Sequence, residues 1–277
     1  MTGKLPPIIL LAMLLLLALS PVHAFAAAWA DIVYEADVPP KTRENVAKAV
    51  DSVADLLTQY NIALRNNITV VITADTEGYI QARMFYAKES RAKAEEVAKY
   101  SGGVSLGGKH IIIIKGTPQL NAHPAEAFRI LPHEIFHQVQ SQYGKTSTVN
   151  WLVEGTPEAF QFAAREKAGF GKESDYIRQA EEEIRQAPEI PDARQLADYN
   201  YQSYTALVQK GYPVYQMSVV MATRLVQDNG FENIIFFYQL LHNGTAPDHA
   251  FLSAFRVPMA WFLSDMNAYF DKLRGGR

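Results

Sequence analysis

The sequence predicts an α+β fold, on three observations. Two short β-branched runs, residues 67–74 (NITVVITA) and 110–115 (HIIIIK), fall in the first half of the chain and read as strands. Beyond residue 158 the apolar spacing is almost entirely helical. Between the two lies a helix-compatible stretch with histidines four residues apart. The expected division is a small mixed-sheet lobe over about 29–145 and a helical lobe over about 146–277, both within one domain that follows a leader.

The 277 residues are 48% hydrophobic and 20% charged, which supplies enough apolar side chain for one large core. There is no basic run and no aromatic–basic alternation, so nucleic acid is not an expected partner. Cys is absent, so any metal ligand must be His, Asp or Glu. The first 24 residues read as a signal peptide: Lys4, an apolar run over 8–19, then Val22-His23-Ala24 with small residues where a signal peptidase reads. Cleavage after Ala24 is expected, with Ala26 and Ala28 as near alternatives. An uncleaved anchor stays open, although the run is short for a membrane span. The implied location is secreted, periplasmic or otherwise extracytoplasmic, for a monomer with no stable membrane insertion. Loss of the leader removes one Lys and no acid, taking the net charge from −3 to −4. Asn67-Ile68-Thr69 and Asn243-Gly244-Thr245 match glycosylation acceptors and read as chance.

After Pro39-Pro40 a helix is expected, with Thr42 as its cap and Val46, Val50, Val53, Leu57 and Tyr60 on its apolar face. Residues 67–74 follow as a strand. Asp75 caps the next helix, taken as one piece over 76–99 with a charged, solvated second half. Ser101-Gly102-Gly103 ends it. Val104, Ser105 and Leu106 form a short strand, Gly107-Gly108 turns, and 110–115 is the next strand. His110 and His123 lack ligand spacing to any partner and read as structural histidines.

Pro124 suits the first turn of a helix. Pro132 then requires either a kink or a fresh helix start. A fresh start would put His133 near a helix N-terminus, which favours the neutral imidazole that a metal needs. His133-Glu134-Ile135-Phe136-His137 places the two imidazoles on one helical face, able to grip one ion, with Glu134 beside them. Tyr143-Gly144 closes this helix, and residues 140–150 read as the polar stretch that turns the chain back. Trp151-Leu152-Val153-Glu154-Gly155 comes next. Gly155 permits close packing, and Thr156-Pro157 opens a helix carrying Glu158.

This pair of segments, HEIFH and WLVEG, resembles the gluzincin zinc metallopeptidases. The helical pattern over 215–230, 231–244, 249–251 and 258–273 resembles the C-terminal part of peptidase MA-like families. The resemblance implies a zincin-like fold and one Zn2+ held by His133, His137 and Glu154. Glu134 would be the general base, and Glu158 would orient a histidine. By the same resemblance the edge strand Val104-Ser105-Leu106 would pair with a peptide or protein substrate. Tyr215 would stabilise the transition state, with Tyr212 and His242 as further candidates. Tyr201, Tyr204 and the 236–238 aromatics read as core or cleft wall. The expected activity is secreted peptide-bond hydrolysis. The alternatives are a zinc amidase acting on cell-wall or other small amides, and a zincin-like binding protein without turnover.

Overall fold

The computed structural model describes residues 29–143, 149–198 and 200–275. The expected signal peptide and residues 144–148 of the expected polar loop lie outside the described residues. Among those described, no helix is long and apolar enough to cross a membrane. The chain is a mixed α and β protein, largely helical, with one small mixed sheet. It divides into two compact units. Among the described residues, one comprises those up to Asp51 together with Asn66–Leu131; the other comprises Ser52–Arg65 and those from Pro132 on.

The first unit holds the sheet. Strand β1 (Ala30–Tyr34) is followed by helix α1 (Pro40–Gln59) and strand β2 (Ile68–Ile72). Because β1 and β2 run parallel, a crossover must join them, and α1 is that crossover. The helix starts ahead of Thr42, which is buried and hydrogen-bonds Asn121 at 2.8 Å instead of capping. Helix α2 (Thr76–Ala82) is capped as expected, Asp75 accepting from the Gly78 amide at 2.8 Å.

The expected single helix over 76–99 is two. A π-helical turn over Arg83–Ala87 leads to Lys88 in the left-handed region at φ 61°, and Ser90 caps a new helix, α3 (Arg91–Ala98). The break has a tertiary cause. Arg83, 4% exposed, turns into the core, where Glu89 takes its guanidinium in two hydrogen bonds of 2.8 and 2.6 Å and Tyr79 takes a third at 3.0 Å. A continuous helix would carry residue 89 away from residue 83. Glu89→Ala is expected to cost about 2 kcal/mol, below the figure for a fully buried pair because Glu89 is partly exposed. Urea unfolding checks this, and an unchanged midpoint would refute it.

Strand β3 (Gly103–Leu106) runs antiparallel to β4 (Ile111–Ile114), and β4 lies parallel to β2, giving the order β1-β2-β4-β3. The isoleucine run suits this place, since a central strand covered on both faces needs apolar side chains throughout. Ile112, Ile113 and Ile114 are fully buried. Val104, Ser105 and Leu106 form the sheet's edge and are all half-buried. His110 adopts a left-handed conformation at φ 54° between β3 and β4, and His123 separates α4 (Pro118–Ala122) from the helix after it.

That next helix, α5 (Pro124–Tyr143), runs unbroken past Pro132, so no fresh helix starts there. His133 therefore lies mid-helix, away from the N-terminal dipole. The helix ends at Tyr143, at the expected Tyr143-Gly144 stop, and so takes in the first residues, 140–143, of the stretch also read as loop. Helix α6 (Asn150–Lys167) carries Glu154, Gly155 and Glu158 together, with Pro157 inside it and not at its start. The rest of the second unit is α7 (Glu173–Gln186), α8 (Ala193–Leu196), α9 (Tyr201–Gln209), α10 (Val214–Asn229), α11 (Phe231–His242), α12 (Pro247–Phe255) and α13 (Met259–Gly275). Trp151, fully buried, stacks on Phe262 with ring centroids 5.5 Å apart, and Phe136, Phe160 and Phe231 pack together beneath α5. This aromatic interior holds α5 and α6 against their neighbours.

Candidate metal centre

The four-residue spacing on α5 stacks two imidazoles on one face. The Nε2 atoms of His133 and His137 are 3.1 Å apart, with ring planes at 81°. Glu154 reaches them from α6, its Oε2 3.8 Å from His137 Nε2. One donor atom from each of His133, His137 and Glu154 lies within 4.8 Å of the others, so the group could hold a metal ion. Donors bound to zinc at about 2.0–2.2 Å stand roughly 3.3 Å apart in a tetrahedron. The two closest separations bracket that value. Two imidazole nitrogens and a carboxylate oxygen are also a donor set that suits zinc.

Gly155 is what lets α6 come this close to α10. A Cβ on it would lie 2.2 Å from the Ser218 carbonyl oxygen and 2.9 Å from the Ala222 side chain. Both Glu134 and Glu154 are buried, at 9% and 8% exposed. Burial pushes both carboxyls up from the usual range. The neighbouring His133 pulls each of them back down.

The two histidines differ. Burial works against a charge on His133, but its hydrogen bond to Glu158 and the charges of Glu158, Glu134 and Glu154 prevail and push it up to about 9. The Oε1 of Glu158 is 3.1 Å from His133 Nδ1. His137 is held down to about 4, first by burial and then by the positive charge on His133. The surroundings thus favour the neutral imidazole at His137, whereas the sequence pointed to His133 for it.

A tyrosine cluster closes over Glu154. The Tyr201 and Tyr215 hydroxyls lie near the Glu154 carboxylate, close enough to feel its charge. Tyr204 stacks on Tyr201, meets Tyr215 edge-on and hydrogen-bonds Ser218 at 3.0 Å. Burial, then the Glu154 charge, pushes Tyr201 up to about 12 and Tyr215 higher still. Tyr201 touches the site where the sequence offered only an aromatic-rich stretch. Tyr212 bonds Glu189 at 3.4 Å, and His242 is exposed at the end of α11. Neither His110 nor His123 belongs to the metal-ligating group.

The sequence also gave no sign of Gln140. It is fully buried, and its Oε1 lies 2.8 Å from His137 Nδ1. Compared with known proteins, the chain matches no family model, and no curated protein matches it significantly.

Proposed function

We propose that the protein is an extracytoplasmic zinc-dependent peptidase of gluzincin type on a zincin-like fold. The observation that carries this reading is the convergence of His133, His137 and Glu154 with a buried fourth carboxyl, Glu134, that is not among the ligating groups. A site for metal storage has no use for that extra acid, whereas hydrolysis requires a base next to the metal.

His133, His137 and Glu154 would hold the ion. When bound, zinc makes water a usable nucleophile near neutral pH and polarises a carbonyl. The Glu134 carboxylate takes the proton from the attacking water and passes it to the leaving amine. Glu158 fixes the His133 ring through Nδ1, leaving Nε2 to face the metal. Peptide hydrolysis develops negative charge on the carbonyl oxygen, and the Tyr215 and Tyr201 hydroxyls are the donors beside Glu154 that can meet it.

Metal analysis of the purified protein tests this. One zinc per chain is expected, lost in His137→Ala, together with casein cleavage that disappears on chelation and returns with zinc. Zinc with cleavage of muropeptides and not casein would move the substrate to cell-wall amides. Zinc without turnover of either would leave a binding protein, and a wild-type chain that retains no zinc would end the reading.

A further inference from the structure

Helix α6 contains a proline, and its consequence is felt one helix away. In a helix each carbonyl accepts from the amide four residues on. The acceptor four residues before Pro157 is Val153, and proline has no N–H to give it. The Val153 carbonyl takes instead the side-chain amide of Gln140, at 3.0 Å. The same Nε2 lies 2.8 Å from Thr156 Oγ1 and 3.1 Å from the Tyr238 hydroxyl. Acceptors on that side settle which end of the amide is nitrogen. Oε1 must then face His137, and at 2.8 Å it accepts the Nδ1–H of that ring.

We propose that Gln140 is the positioning residue for two of the three metal ligands. This rests on the metal reading above. Its oxygen fixes His137 as the Nδ1–H tautomer, so that the Nε2 lone pair points at the metal. Its amide grips the carbonyl of Val153, whose peptide group leads directly into Glu154. A single planar amide thereby sets both the orientation of a histidine on α5 and the height of the carboxylate on α6. Glu158 performs the corresponding service for His133 through one bond. Gln140 differs in serving two ligands at once, His137 directly and Glu154 through the Val153 carbonyl.

The test compares zinc affinity, by chelator competition, among wild type, Gln140→Leu and Gln140→Glu. Loss of a metal's supporting hydrogen bond typically costs 10–100-fold in affinity. Gln140→Leu is expected to weaken zinc by about that factor. Gln140→Glu keeps an acceptor for His137 and is expected to bind more tightly than Gln140→Leu. A purely structural glutamine predicts the reverse order, since Glu buries a charge and loses the donors. Equal affinity of Gln140→Leu and wild type, or the reversed order, would overturn the proposal. The nitrogen shifts of the His137 ring in metal-free wild type give a second readout that needs no variant to fold and no zinc to bind. The Nδ1–H tautomer is expected, and the Nε2–H tautomer would overturn the proposal. A wild-type chain that binds no zinc yet shows the Nδ1–H tautomer would refute the metal reading and leave the Gln140 contact standing.

Discussion

Glu134→Gln is expected to lower peptide hydrolysis by a factor on the order of 10²–10⁴, the range a positioned general base supplies. The amide has nearly the same volume as the carboxyl, so the packing of this buried residue is preserved. It cannot take up a proton. Because Glu134 is not one of the three ligating groups, zinc content should equal that of wild type. The measurement pairs kcat on a peptide substrate with metal analysis of the same sample. Activity within a few-fold of wild type would remove Glu134 from the mechanism. Loss of zinc along with activity would make it a ligand instead.

The second large effect is expected from one methyl group. Gly155→Ala puts a Cβ 2.2 Å from a backbone oxygen of α10, and backbone cannot swing aside as a side-chain tip can. Overpacking costs about 1–3 kcal/mol, and a contact this short against backbone takes the upper value, about 3 kcal/mol. Alanine's better helix propensity returns about 1 kcal/mol. The net loss should be about 2 kcal/mol, a fall of roughly 4–8 °C in melting temperature for a chain of this size. The strain should also reach the metal. Glu154 is the adjacent residue, so α6 cannot draw back from α10 without moving the carboxylate. Calorimetry and zinc titration on the same variant check both parts. A melting temperature at or above that of wild type would show that the two helices are not in the close contact described.

The parts of this molecule that were legible in the sequence are those set by local periodicity. Four residues between histidines put two rings on one face of α5 because a helical turn is 3.6 residues, and no other element is needed to see it. The cap at Asp75 and the buried strand β4 are local in the same sense. What could not be read depends on residues far apart. The charged run after Ala82 looks helical throughout, and only the burial of Arg83 against Glu89 breaks it. Pro132 looked like a possible start, but packing carries α5 through it. Tyr201 meets Glu154 only because α9 returns to α6, and Gln140 meets Tyr238 across 98 residues of chain. A polar residue in a polar-looking stretch gives no hint of such a partner. The one available clue was Pro157, which leaves a carbonyl in search of a donor.

A helix normally satisfies its own backbone and could, in principle, be lifted out intact. Helix α6 cannot, since part of its ladder is completed by a side chain belonging to another segment. Regularity there is a product of assembly and not of local preference. The final bond of the scaffold and the correct aim of the ligands therefore arrive in the same event, and a partly folded chain should possess neither.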